Sequence, residues 1–426
     1  MATIAPDVTG LDYFTDRSVL LDPYDYFNAV REGGPVQQMK ARDILLVTGF
    51  REAVEILLDT KHFSSFINPD PLAPLPFVPE GDDITAQVAA ADKGNPMLDL
   101  MVAYDGERHA AARSLLNPLF TPSRLKANEA FMHSYGDAMA RDFVARGGCE
   151  AIGEIATPFV TMVIADLLGV PEDDREEFRK VIDAGPPPGN MDAADEPQQS
   201  HPLMYMAAFF MRYLSERRAA PRDDVMTALS LATYPDGSEP PLIEAVKTAM
   251  FLFAAGQDTS AKLIGNSLRY LCENPEMQDR LRADRSQIGP FLEEMLRLEG
   301  STKGTFRVCQ KATTVGGHAI PAGKKIMIAV SAANRDPRRW DNPNDFLLNR
   351  PKIREHLAFG RGAHTCAGAP LARAEVAILL DRLLEHTSAI TLDESVHGPK
   401  GARTIDYEPS YIIRGLANLH VRFAPA

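Results

Sequence analysis

The chain carries four cysteines, Cys149, Cys272, Cys309 and Cys366, and no two of them form a CxxC pair. That spacing rules out a disulfide framework and fits a reducing compartment. Cys366 stands apart because of its neighbours, Phe359-Gly360-Arg361-Gly362-Ala363-His364-Thr365-Cys366-Ala367-Gly368. The glycines permit a tight turn with unusual backbone angles. Pro370, just beyond, is tolerated in a first helical turn. The free N–H groups and the dipole at such a helix start favour a thiolate, and Phe359 can shield it from water. A single shielded thiolate makes a poor zinc site, which wants four ligands, but a good axial ligand for haem iron.

A second constellation is Ala254-Ala255-Gly256-Gln257-Asp258-Thr259, inside a long apolar-periodic run. A helix-interior glycine costs about 1 kcal/mol relative to alanine. A threonine hydroxyl can bond back to the preceding turn and open the helix locally. A groove without side chains, beside a hydroxyl and a carboxylate, suits a small ligand that needs protons. Two further pairs have helical spacing. His109 and Arg113 stand four apart, and Glu294 and Arg297 three apart.

The pattern Phe-Gly-x-Gly-x-His-x-Cys-x-Gly resembles the haem-binding loop of the cytochrome P-450 family, and Ala-Gly-x-Asp-Thr resembles its oxygen-activation motif. The resemblance runs over nearly the whole chain, from about Asp22 to Phe423, and includes Ala333-Asn334-Arg335-Asp336-Pro337. It implies haem b, with Cys366 as iron ligand and Phe359 and Gly368 framing the thiolate. Thr259 would hydrogen-bond dioxygen and Asp258 would relay protons from solvent. His109, Arg113, Arg307 and His364 would serve the two propionates. Glu294, Arg297 and Arg350 would form the family's buried Glu-Arg-Arg cluster, a structural rather than a catalytic group. The main departure is the irregular stretch 64–105, longer than in typical bacterial members, so substrate contacts there do not transfer.

These side chains need a scaffold. Pro240-Pro241 starts a helix and Asn274-Pro275 ends it, giving about 46 Å at ~1.5 Å per residue. Residues 24–32 and 50–59 read as helices, 44–48 as a strand, and most of 107–291 as helical. Helices are also expected around 173–183 and over 203–214, separated by a Pro- and Gly-rich break at 184–197. After Gly300 short strands with tight turns are expected at 308–314, 318–323 and 325–330, then a helix after Gly368 and a hairpin over 411–423. The stretch 64–105 holds six prolines and, like 184–200, reads as a lid. The expectation is one mainly α domain over 1–426 with a smaller β portion. Its helix-rich core covers about 107–300 and 366–386, and its sheet-rich parts about 30–60, 301–330 and 388–423. The resemblance places haem between the long central helix and the cysteine loop.

Composition narrows the partners. The formal charge is −13, with 45% hydrophobic and 24% charged residues. Such a chain is a poor ligand for nucleic acid or anionic membrane. No run of 18 apolar residues occurs, so a cytoplasmic protein is expected. The resemblance implies a monooxygenase that inserts one oxygen atom of O2 into a hydrophobic small molecule, a terpenoid or an aromatic. Electrons would come from NAD(P)H through a ferredoxin reductase and a ferredoxin. The ferredoxin would dock on a basic patch at Arg108, Arg361 and Arg373, with Lys352 and Arg354 nearby. A peroxide-using peroxygenase is an alternative, against which Asp258 and Thr259 argue. A haem-thiolate sensor without turnover is another. Expected pocket residues are Met97, Leu98, Met101, Phe251, Ala254, Ala255, Thr305, Tyr411 and Ile412, with Met206, Phe209 and Phe210 in a lid.

Overall fold

In a computed structural model, which describes residues 7–91, 99–183 and 202–426, the longest element is the helix Leu242–Glu273. Pro241 precedes its first turn and Asn274-Pro275 ends it, as the sequence dictates. From Ser260 to Leu268 every residue is buried, so this half of the helix is an axle with neighbours on all sides. Helices Thr157–Leu168, Pro202–Ala219, Ile288–Glu299 and Ala369–His386 pack against it. Helix Pro122–Arg146 closes over Ala369–His386 from the other side.

The smaller β portion is a sheet in the spatial order Val36–Gln38, Ile44–Val47, Lys325–Ile328, Thr305–Cys309, Phe63–Ser64. Ile44–Val47 runs parallel to Lys325–Ile328, and the other pairings are antiparallel. Strand alternation sorts its side chains into two cores. Leu46, Phe306, Val308 and Met327 face an N-terminal aromatic cluster. Leu45, Val47, Cys309, Ile326 and Ile328 face helix Phe50–Leu58. Thr305 and Arg307 share the parity of Cys309.

Three expectations change. The strand expected over 308–314 is two, Thr305–Cys309 in the main sheet and Thr313–Val315 paired with His318–Ile320. Residues 411–423 do not form a hairpin. His420–Pro425 pairs with Thr387–Leu392 and Gly148–Glu150 instead, while Ile413 bridges Thr302 and Leu416 bridges Tyr407. The strand found its partners far along the chain, where adjacency in sequence gives no hint. The Pro-rich stretch from residue 64 to 91 is tied down rather than loose. Helix Thr85–Ala90 interrupts it. The Lys325 ammonium donates to the carbonyls of Pro71 and Ala73, and Asn68 Oδ1 accepts from Phe306 N at 2.9 Å. The lid expectation for 184–200, and the part of 64–105 at 92–98, lie outside the described residues.

Glu294 is fully buried and takes hydrogen bonds from Arg297 at 2.7 and 2.9 Å, from Arg350 at 2.9 and 3.2 Å, and from Leu347 N at 3.0 Å. The surplus positive charge is absorbed by carbonyls. Arg297 donates to those of Asn334, Pro343 and Asp345, and Arg350 to those of Asp341, Asn342 and Asp345. Glu294→Gln would strand two buried guanidiniums. The expected loss is about 3–5 kcal/mol, read as a lower urea midpoint. A midpoint equal to the parent's would show that the carbonyls alone hold the arginines.

Candidate active site

A cavity of about 310 Å³ lies where the central helix, the cysteine loop, the strand Thr305–Cys309 and the helix Gly106–Ser114 meet. Its walls include Thr259, Cys366, Phe359, Gly368, His364, His109, Arg113 and Arg307. Residues from four separate regions of the chain thus converge on one space.

The cysteine loop is shaped by backbone. Gly360 and Gly362 have φ of +66° and +78°, which side-chain-bearing residues rarely adopt. Cys366 N donates to Phe359 O at 2.9 Å, closing the turn. The Cys366 side chain is exposed where it opens onto the cavity, and the protein packed around the loop pushes the thiol up from its ordinary pKa by desolvation. Hydrogen bonds from the Gly368 and Ala369 N–H groups, with the charges of Arg113 and Arg373, oppose that rise without cancelling it. The helix start therefore does what its sequence promises, but on its own it leaves a thiol and not a thiolate.

Around the same space sit four groups able to carry positive charge. The rings of His109 and His364 lie 4.0 Å apart, and His364 Nε2 meets Ser65 Oγ at 3.0 Å. Arg307 is buried and donates only to Phe306 O at 2.6 Å and Thr305 Oγ1 at 3.3 Å. Among the described residues neither Arg113 nor Arg307 forms an ion pair. Burial lowers the Arg307 guanidinium to about 10. Burial, with Arg307, His109 and Arg113 adding like charge, pushes His364 down to about 3. Such a site is short of anions.

In the central helix, Thr259 Oγ1 donates to Ala255 O at 2.9 Å, the back-bond expected of its type. Ser301 Oγ donates to Thr259 O at 2.6 Å. Gly256 has a packing reason as well, since a Cβ there would stand 2.9 Å from Ile164 Cδ1. Asp258 does not line the cavity. It turns to the other side of the helix, 3.9 Å from the Lys262 ammonium, and burial raises its carboxyl to about 6.

Met101, Phe251, Ala255 and Thr305 line the cavity as expected, whereas Ala254, Tyr411 and Ile412 do not. Ala254 packs on the helical core. Tyr411 lies edge-on to Phe14 with ring centres 5.4 Å apart, and Ile412 joins the same cluster. Met97 and Leu98 lie outside the described residues. Met206, Phe209 and Phe210 are buried around Phe178, which stands 4.7 Å from the Phe253 ring, so they are core rather than cavity wall. Sequence reasoning passed over Asn68, Ser301 and Glu375, all in the cavity wall. It also passed over Glu293, which accepts from Arg373 Nε at 2.6 Å and pairs with His356 Nε2 at 3.1 Å. Arg108 pairs with Asp99 at 2.8 Å, and Asp99 also holds Lys247 of the central helix. Arg373 is likewise paired, with Glu293, and covers the Phe359 ring.

The family model for cytochrome P450 matches residues 201–400. PikC, a cytochrome P450 monooxygenase of Streptomyces venezuelae, is 31% identical over 99% of this chain and 95% of its own. Cytochrome P450 144 of Mycobacterium tuberculosis is 29% identical over 99% and 93%. Among solved structures, substrate-free CYP150A6 of Mycobacterium marinum is 46% identical, with a TM-score of 0.91 over 98% of this chain and 99% of that one. The chain belongs to the cytochrome P450 family. It is thus an oxidoreductase of the bacterial P450 monooxygenase type, with haem b as cofactor. No helix among the described residues is long and apolar enough to cross a membrane.

The two glycines nearest the thiol should respond differently to alanine. At Gly362 a Cβ would stand 2.6 Å from Leu57 O, on a backbone already at positive φ. At Gly368 it would meet only the Cys366 Sγ, at 3.8 Å and ordinary φ. Gly362→Ala should purify with most of its haem missing, and Gly368→Ala with haem retained. Equal haem absorbance in the two would refute this reading of the loop.

Proposed function

We propose that Cys366 ligates the haem iron, that His109, Arg113, Arg307 and His364 hold the propionates, and that Thr259 and Asp258 deliver protons for monooxygenation. The observation that carries this is the charge imbalance of one cavity. Two arginines without carboxylates stand in the same walls as a lone thiol. A flat macrocycle with two carboxylates and an iron that accepts one thiolate supplies what those walls lack. When bound, haem supplies the oxygen chemistry, and a thiolate ligand favours cleavage of the O–O bond.

The chain's own groups do the rest. Cys366 would hold the iron as its thiolate, the form in which a coordinating thiol stands. Arg113 and Arg307 take the ion pairs that they otherwise lack. Phe359, under the Arg373 guanidinium at 4.6 Å, keeps water from the sulfur. Thr259 presents its hydroxyl to the cavity, and with its hydrogen donated to Ala255 O its oxygen lone pairs are placed to accept a hydrogen bond from a ligand. Asp258, raised to about 6, exchanges protons near neutral pH, the range in which a relay group is most effective.

The substrate is read as a hydrophobic small molecule, a terpenoid or an aromatic, because Met101, Phe251, Leu252 and Leu263 make much of the wall apolar. Electrons are read as coming from NAD(P)H through a ferredoxin reductase and a ferredoxin. Arg361 and Arg373 remain the candidates for that docking face. Among the described residues Arg361 forms no ion pair within 4.0 Å and donates to a carbonyl, that of Glu355.

Cys366→His should abolish the red-shifted band of the reduced, carbon monoxide-bound protein, because imidazole donates less electron density than thiolate. An unchanged band would sink the ligand assignment. Thr259→Ala should fold and go on consuming oxygen, while product per NADH falls by roughly tenfold or more and peroxide rises. Full coupling in that variant would remove the hydroxyl from the proton path.

A further inference from the structure

Behind the central helix, Asp258 meets a small buried charge cluster. Lys262, one turn on, lies with its ammonium 3.9 Å from Asp258 and in an ion pair with Glu408 of the C-terminal segment. Lys262 is 5% exposed. One oxygen of Asp258 and one of Glu408 are buried without hydrogen-bond partners among the described residues. Two carboxylates therefore share one cation, and neither is satisfied by it alone. The geometry is locked by backbone. A Cβ at Gly415 would overlap the Lys262 side chain, so the lysine stem runs across the C-terminal segment where only glycine admits it. Glu408 N donates to Gly415 O at 3.0 Å, which fixes the acid to the same turn.

We infer that Lys262 and Glu408 are positioning residues that together set how tightly Asp258 holds its proton. The inference rests on the reading of Asp258 as a proton relay only for its use in turnover. Lys262 favours the ionised carboxyl. Glu408 favours the protonated one, both by its own charge and by drawing the ammonium away. The remaining charges near the cluster are already committed. Glu299 pairs with Arg414 and Arg335. Lys303 donates to the carbonyls of Leu20 and Ser410, but burial lowers it to about 7 and Glu408 acts on it, so its own titration is a background that the Asp258→Asn difference spectrum removes. On the neighbouring helix Thr157–Leu168, Asp166 is held by Arg124, Arg175 and Asn128. On the cysteine helix, Glu375 bonds Ser260 and burial keeps it protonated up to about 8, so it brings no charge at neutral pH. Tyr407 also stays neutral, since burial raises it to about 12.

The test separates the two neighbours by sign. In haem-loaded protein the infrared carboxyl band that disappears in Asp258→Asn is followed against pH. Glu408→Gln should move its midpoint down by about one unit, and Lys262→Met up by about one unit. Lys262→Arg, which keeps the charge, should stay close to the parent and shows that the site tolerates substitution. Product per NADH should fall with rising pH, with its midpoint displaced in the same directions. Midpoints that coincide in all variants, or move the same way in both charge-removing variants, would overturn the inference. A band that moves while the coupling profile stays still would leave the inference standing and refute the relay reading of Asp258 instead.

Discussion

Two adjacent carboxylates, Glu293 and Glu294, hold the cysteine loop to the rest of the molecule. Neighbouring residues on a helix point about 100° apart, so one turn of Ile288–Glu299 serves two clients. Glu294 gathers Arg297 and Arg350, and through their other donors the carbonyls of residues 334–345. Glu293 gathers His356, just before the loop, and Arg373, in the helix just after it. Its carboxyl falls to about 2 because His356 and Arg373 outweigh the cost of its burial. The thiol is thus gripped on both flanks by one anion, and that anion is built into an element that also packs on the central helix.

This arrangement divides the charges of the interior. Where the fold must be rigid, cations meet acids or carbonyls within the protein. Where a ligand belongs, Arg113 and Arg307 form no ion pair among the described residues, and Arg307 feels only the more distant charge of Asp105. Burying an unpaired charge is costly, and the lowered Arg307 shows that cost directly. A cavity that carries such a cost has a strong preference for whatever anion relieves it. The neutral histidines add donors there without adding further repulsion.

Local chemistry was legible in the sequence. The helix Tyr24–Glu32, the limits of the central helix and the turn before Cys366 follow from prolines, glycines and periodicity within a few residues. Thr259, Cys366, His109 and Arg113 were found because their motifs are short and contiguous. What escaped depends on contacts between distant segments. Asn68 matters because it accepts from the start of strand Thr305–Cys309, and nothing near residue 68 announces that. Glu293 belongs to no motif, and its partners His356 and Arg373 lie 63 and 80 residues away. Tyr411 looked like a substrate contact, but its ring was claimed by Phe14 and Phe306. Asp258 was singled out by its motif, yet its surroundings are set by Lys262 and Glu408, which belong to no motif.

The pairing of Ile44–Val47 with Lys325–Ile328 joins segments separated by most of the chain. Closing so large a loop costs entropy before any contact compensates it, and parallel pairing cannot begin with a local turn. The helices around Leu242–Glu273 involve shorter separations and can associate first. The sheet side of the cavity, with Thr305 and Arg307, is therefore the late-assembling wall, and helix Gly106–Ser114 with the cysteine loop waits for it. During synthesis Val36–Gln38 and Ile44–Val47 can pair locally, but the second edge of Ile44–Val47 stays open until Lys325–Ile328 has been made. An open apolar edge of this kind is a template for pairing with another chain while it waits.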